Sequence, residues 1–161
     1  MNQSELFLKM VLTAWESQSA RTSKLINSLT DEQLMLEVAP GRNRGIYLLG
    51  HLTAVSDSLF TLLGIGEKLY PQYENVFIKN PDKSGLEMPD ITELKSSWSK
   101  VYQKLSERFK QMPTEEWFSR HMSVTPEDFV KEPHRNKLNV IISRTSHEAS
   151  HYGQLIFLQK K

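Results

Sequence analysis

Hydrophobic residues recur along the chain mainly at helical spacing, three or four positions apart, and strand-like alternation is rare. In the first such segment the apolar positions are Leu8, Val11, Leu12, Trp15, Leu25 and Ile26. Four segments share this pattern, and they predict helices over residues 4–28, 45–63, 90–111 and 136–161. Glycines after the second segment and Pro113 after the third are typical helix stop signals. The pattern therefore predicts an all-α fold.

Two long connecting segments, residues 64–90 and 118–136, separate the predicted helices. Connections of this length in a compact domain often form walls or lids of functional sites. The chain also shows a weak internal repeat, in which a long helix, a capped turn, a loop and a histidine-bearing helix follow one another twice. The capped turns are residues 29–34 and 112–117. Because capped turns after long helices are common, the pattern is either a duplication or a coincidence.

Composition narrows the classes of protein to consider. The 161 residues, 39% of them hydrophobic, fit one domain over residues 1–161. A net charge of +1 gives no support to a nucleic-acid or membrane partner. The absence of cysteine excludes disulfides and thiolate ligands from the chain itself. Glu5, Lys9 and Glu16 interrupt any apolar signal segment, so we expect a soluble, cytoplasmic protein.

The last predicted helix contains His147 and His151, four residues apart. At about 100° per residue, this spacing places both imidazoles on one face of a helix, where they can reach the same ion. Val140, Leu155 and Leu158 lie on or near that face. The pair is therefore expected to point into the protein interior.

His51 lies at the edge of the leucine stripe of the second predicted helix, next to Val55 and Leu62. A histidine there faces the interior, and the interior of a helix bundle is where metal sites form. We therefore predict that His51, His147 and His151 bind one divalent metal ion. The alternative is that His51 is an ordinary hydrogen-bonded core histidine.

The predicted ligand set indicates the chemistry of the site. Three neutral imidazoles leave the ion its full double charge and at least one open coordination position. Such an ion can lower the pKa of bound water to about 7, or it can bind a thiolate. Zinc, nickel, cobalt and iron(II) all suit three nitrogen ligands, and we expect zinc or nickel. The other two histidines, His121 and His134, lie beside arginines in a polar segment and are expected to be solvated.

The motif His147-Glu148-x-x-His151 also matches the zincin proteases, in which the glutamate is a general base. A zincin needs a third ligand downstream, and residues 152–161 contain no His, Asp or Glu. A protease cleft usually also holds its substrate along an edge strand, and none is predicted. We therefore expect the third ligand to come from upstream, as in a bundle.

Three further side chains of the last helix are candidates for catalytic roles. Glu148 lies on an apolar face, where a carboxylate must be paired. It either orients a ligand imidazole, acts as a general base, or pairs with a buried arginine such as Arg21. Arg144, one turn before His147, either meets an anionic group of the substrate or reaches solvent. Gln154 lies close to the direction of His147, and we predict that it hydrogen-bonds a bound water.

Two stretches resemble the DinB-like superfamily, which also contains the YfiT-like proteins. The segment Ile46–Leu52 (IYLLGHL) is similar to that family's first histidine helix, and His147–Gln154 (HEASHYGQ) is similar to its closing helix. The resemblance extends over essentially the whole chain. It implies an up-down-down-up four-helix bundle, a metal site at His51, His147 and His151, and a homodimer.

The resemblance also implies a range of activities. Characterised members include metal-dependent transferases that use low-molecular-weight thiols such as bacillithiol or mycothiol. Some have a maleylpyruvate isomerase activity, and many are labelled metal-dependent hydrolases. We expect a thiol S-transferase whose small-molecule substrate enters between the two long loops. The alternatives are a hydrolase with Glu148 as base and a non-catalytic metal-binding or stress-response protein.

Overall fold

The computed structural model describes residues 2–160, and every regular element in this range is helical. The α-helices are α1 (Gln3–Ser28), α2 (Asp31–Met35), α3 (Gly45–Asp57), α4 (Leu59–Leu62), α5 (Tyr73–Phe77), α6 (Ile91–Gln111), α7 (Thr114–Trp117), α8 (Pro126–Lys131) and α9 (Lys137–Leu155). A short 3-10 helix (Ile156–Lys160) follows α9. The prediction of an all-α chain is confirmed. None of the helices in this range is long and apolar enough to cross a membrane.

The four predicted helices correspond to α1, α3 with α4, α6, and α9 with the 3-10 helix. Asp90 caps the start of α6, because its side chain accepts a hydrogen bond from the Glu93 N–H. The second predicted helix is interrupted at Ser58, which the periodicity did not indicate. The Ser58 hydroxyl donates to the carbonyl oxygen of Val55, competing with the regular helical bonding. The last helix tightens after Leu155 instead of continuing as a regular α-helix.

The two long connecting segments are partly helical, contrary to their interpretation as loops. Residues 64–90 contain α5, and residues 118–136 contain α8. Hydrogen bonds to two carboxylates connect the first segment to α3. Asp57 accepts hydrogen bonds from two backbone N–H groups of the segment, and Asp82 accepts hydrogen bonds from the guanidinium of Arg44. These bonds hold the segment beside α3.

Two hydrophobic clusters fill the interior. The first packs α3 against α5, the start of α6 and the last residues of α9, and includes Leu48, Leu49, Phe77, Leu94 and Leu155. The second packs α4 against the later part of α6 and the early parts of α1 and α9, and includes Phe60, Val101, Leu105, Trp117 and Ile141. Buried polar residues, Ser19 and Thr22 of α1 and Glu148 of α9, lie between the two clusters along these helices. His147, next to Glu148 on α9, lies at the same level.

The weak repeat in the sequence has a structural counterpart. The long helices α1 and α6 are each followed by a short helix, α2 or α7. Each histidine-bearing helix is then preceded by an isolated antiparallel bridge, Glu37 with Arg44 before α3 and Arg120 with Asn136 before α9. Both histidine helices are therefore reached through the same local structure, which favours the duplication.

Candidate metal centre

The three predicted histidine ligands lie together and direct their Nε2 atoms at one point. His147 Nε2 is 3.2 Å from the Nε2 atom of His51 and 3.2 Å from that of His151. The three rings meet edge to face, with interplanar angles of 61°, 78° and 86°. Ligand bonds near 2.1 Å place neighbouring nitrogens about 3.0–3.4 Å apart at octahedral to tetrahedral angles. The three histidines are therefore positioned to bind one metal ion, and their spacing fits it.

Helix α5 and its backbone orient His51. The Nδ1 atom of His51 lies 2.7 Å from the carbonyl oxygen of Phe77. Since a carbonyl can only accept, Nδ1 carries the proton and Nε2 keeps its lone pair for a metal. Gly50 permits this close approach, because a β-carbon there would overlap the fully buried Phe77 ring. A glycine in α3 thus allows a distant segment to set the tautomer of a ligand.

Helix α9 orients the other two histidines. Asn136 caps its N-terminus by accepting a hydrogen bond from the Asn139 N–H, and its regular geometry keeps His147 and His151 on one face. The Nδ1 atom of His151 lies 2.8 Å from Oε1 of Gln154, so its Nε2 is also free for a metal. The sequence did not predict this contact of Gln154. A hydrogen bond from Gln154 to a bound water stays a prediction.

Burial keeps the imidazoles of His51 and His147 in the neutral form that binds a metal. All three rings are half-buried, so solvent reaches part of the site. Burial lowers the pKa of His147 to about 4, and the charges of His151, His51 and Arg144 add to the shift. Burial also lowers the pKa of His51, although its hydrogen bond to Phe77 opposes the shift. His51 and His147 are therefore neutral at pH 7 in the metal-free protein.

Arg144 lies one turn before His147 on α9, and no ion pair joins it to an acidic residue between residues 2 and 160. The positive charge of Arg144 helps to lower the pKa of both His51 and His147. Its Nε atom is buried and has no hydrogen-bond partner among residues 2–160. Burial accordingly lowers the pKa of Arg144 itself. The predicted meeting of Arg144 with an anionic group is compatible with this position.

Glu148 is held against α1. It is 5% exposed, and its Oε2 atom accepts a hydrogen bond of 2.9 Å from the Ser19 hydroxyl, whereas its Oε1 atom is buried without a partner in the described range. Burial raises the pKa of the carboxyl group, and the nearby hydroxyl groups of Thr22 and Ser19 oppose the shift. Arg21, the partner considered from the sequence, lies over the ring of Tyr152 at 4.9 Å. Glu148 therefore belongs to the α1–α9 interface, and its role as general base stays a prediction.

Sequence reasoning missed Phe77 and Gly50. A backbone carbonyl leaves no residue-type signal, so Phe77 was not predictable from its side chain. Gly50 offered a usable signal, because glycine inside a helix is unfavourable and often marks a close backbone or side-chain approach. His121 and His134 lie outside the three-histidine group, with His134 exposed and His121 half-buried.

A comparison with protein families adds an independent finding. The family model described as the DinB superfamily matches residues 14–155, a range that contains all three histidines and most of the chain. No curated protein matches the chain.

Proposed function

Because this chain belongs to the DinB superfamily, we propose that it binds one divalent cation and acts as a metal-dependent thiol S-transferase. The convergence of the Nε2 atoms of His51, His147 and His151 carries this proposal. The donor set consists of neutral nitrogens with no carboxylate, which favours zinc or nickel. The half-buried rings leave room for a small molecule to reach the ion.

A catalytic site fits the number of ligands better than a purely structural one. Structural zinc sites are usually closed by four protein ligands, whereas catalytic sites have three and an open position. His51, His147 and His151 form the group, and no fourth His, Asp or Glu between residues 2 and 160 joins it. The open position supports binding of a substrate or cosubstrate.

The residues of the chain prepare the site for this chemistry. A cation held there supplies Lewis acidity and favours the thiolate form of a thiol at neutral pH. Phe77 and Gln154 keep His51 and His151 in the tautomers whose Nε2 lone pairs face the ion. The chain has no cysteine, so the reacting sulfur belongs to a low-molecular-weight cosubstrate. In the transfer, the sulfur bonds to an electrophilic carbon, the leaving group departs with its electron pair, and the thiol proton passes to solvent.

A metal-dependent hydrolase is the second candidate. It is favoured by the solvent-accessible side of the same three histidines, where water can bind. A hydrolase also needs a base, and the bond of Glu148 to Ser19 gives the proposed base no support. The transferase therefore remains the preferred function.

We also propose that the long helices form the up-down-down-up bundle implied by the resemblance. Ser19 contacts Glu148 and Ser28 contacts Gln159, so positions increase together along α1 and the C-terminal helices. This order supports a parallel arrangement of α1 and α9. Contacts between α1 and α6 run in the opposite order, Trp15 with Phe109 and Ser23 with Trp98.

The transferase proposal is tested by following thiol consumption with a generic electrophile, 1-chloro-2,4-dinitrobenzene. A panel of low-molecular-weight thiols is offered to protein loaded with zinc or nickel, to chelator-treated protein and to the loaded His151→Ala variant. We expect at least one thiol to react faster with loaded wild type than with either control. Equal rates with every thiol would contradict the proposal. Metal-dependent cleavage of p-nitrophenyl acetate without thiol transfer would favour the hydrolase.

A further inference from the structure

Between residues 2 and 160, no acidic side chain joins the three-histidine group or pairs with Arg144. A bound divalent cation brings two charges, its histidine ligands are neutral, and Arg144 adds a third. Glu148 is the acid closest to Arg144 along α9, but its carboxylate is bonded to Ser19 of α1 and no ion pair joins it to Arg144. Partly buried charges without partners are unfavourable. The site is therefore complete only when a bound molecule supplies negative charge.

The position of Arg144 indicates where that negative charge belongs. Arg144 precedes His147 by three residues on α9, which is about 4.5 Å along the helix axis. Its Nε atom is buried, so the side chain runs along the protein rather than out into solvent. Buried guanidinium N–H groups without an acceptor are rare in native proteins. An oxygen atom of a ligand would supply the acceptor that the chain does not.

We propose that Arg144 binds a carboxylate group of the molecule that occupies the metal centre. The inference rests on the proposed function, because it places the carboxylate on a substrate or cosubstrate bound at the ion. The planar guanidinium matches a carboxylate through two parallel hydrogen bonds. The charge of Arg144 also acts on both His51 and His147.

The proposal defines a substrate class. The bound molecule has a metal-binding group, such as a thiol, and a carboxylate a few bonds away. Arg144 then determines specificity, because it orients the molecule whose other end lies on the ion. Its loss should weaken binding of carboxylate-bearing ligands and leave binding of neutral ligands unchanged.

Cobalt-substituted protein provides a test that does not depend on turnover, because the visible spectrum of cobalt(II) reports ligand binding. Two pairs of probes are used. The two members of each pair have the same metal-binding group, but only one of them has a carboxylate. They are 3-mercaptopropionate with 2-mercaptoethanol, and succinate monohydroxamate with acetohydroxamate. We expect wild type to bind the carboxylate member of each pair about ten- to a hundredfold more tightly.

Variants of Arg144 test whether the preference for the carboxylate probes comes from this side chain. Arg144→Met should remove the preference without changing the Kd of the neutral probes, and Arg144→Lys should restore part of it. The matched control is Arg108→Met, since Arg108 is exposed on α6, and it should retain the full preference.

The two pairs separate this inference from the proposed function. Equal affinities within both pairs in cobalt-loaded wild type would overturn the role of Arg144, whatever the variants do. A preference that survives in Arg144→Met would also overturn it. A preference seen with the hydroxamates when neither thiol binds would support the role of Arg144 and contradict the thiol transferase.

Discussion

The carbonyl oxygen of Phe77 accepts a hydrogen bond from Nδ1 of His51, 2.7 Å away, although 26 residues separate them in the chain. The bond makes α5, a short helix in a long connecting segment, part of the candidate metal centre. It also explains why α3 carries a glycine beside its histidine, because Gly50 leaves the space that the Phe77 ring occupies.

Substitution of Gly50 by alanine should damage both the fold and the site. The added β-carbon would overlap the Phe77 ring, which is fully buried and cannot turn aside easily. We expect a loss of about 1–3 kcal/mol in the free energy of unfolding, as for other overpacked cores. Metal affinity should fall about tenfold or more, because the Phe77 carbonyl is displaced from His51. Urea denaturation and metal titration measure the two effects.

Gly153→Ala is the matched control for Gly50→Ala. Gly153 also lies inside a helix, but a β-carbon there meets no atom within 4 Å. Alanine should stabilise the protein by up to about 1 kcal/mol through its higher helix propensity. Equal behaviour of the two variants would show that the approach of Phe77 is unimportant.

Replacement of Gln154 by alanine should weaken metal binding without weakening the fold. The Gln154 side chain is exposed, and its amide oxygen accepts the Nδ1 proton of His151. Loss of such a partner typically lowers metal affinity about 10–100-fold. Calorimetric titration with zinc gives the affinity, and thermal unfolding with chelator gives the stability. Gln159→Ala, at an exposed position of the 3-10 helix, should leave the affinity for zinc unchanged. A wild-type affinity for zinc in Gln154→Ala would contradict the prediction.

Glu148→Gln should change how stability depends on pH. Burial raises the pKa of Glu148 above its ordinary value of 4.5, so the folded state binds this proton more tightly than the unfolded chain. The stability from this group is therefore complete below about pH 4.5 and is lost as the pH rises through the folded-state pKa. The amide does not titrate, although it can still accept a hydrogen bond from Ser19.

Chelator-treated wild type should accordingly lose stability relative to Glu148→Gln as the pH is raised above 4.5. Urea denaturation of both proteins over a pH series measures the difference. Parallel curves would show that the Glu148 carboxyl does not have a raised pKa. A metal-loaded Glu148→Gln variant with full transferase activity would further separate this residue from the chemistry.

Local patterns in the sequence were sufficient to predict the long helices and the histidines positioned for a metal. Helical periodicity is repeated over many residues, and the spacing of His147 and His151 fixes their relative direction within one helix. The capping of α6 at Asp90 is equally local. His51 required the further expectation that leucine-lined helix faces pack together.

The remaining features depend on contacts between distant segments. The α5 helix is too short to show periodicity, and the Phe77 carbonyl carries no sequence signal. The partner of Glu148 could not be chosen from the sequence, because Ser19 and Arg21 lie two residues apart on α1 and present different faces. In the structure, the Ser19 hydroxyl donates the hydrogen bond to Glu148. Because Glu148 is bonded to Ser19, its carboxylate does not pair with Arg144, and no local sequence pattern indicated this consequence.

The metal content of the purified protein tests the central claim most directly. Elemental analysis should find about one zinc or nickel ion per wild-type chain and at least tenfold less in folded His151→Ala. His134→Ala should match wild type, because His134 is exposed and outside the three-histidine group. Equal metal content in wild type and His151→Ala, or no divalent metal in wild type after reconstitution, would contradict the account.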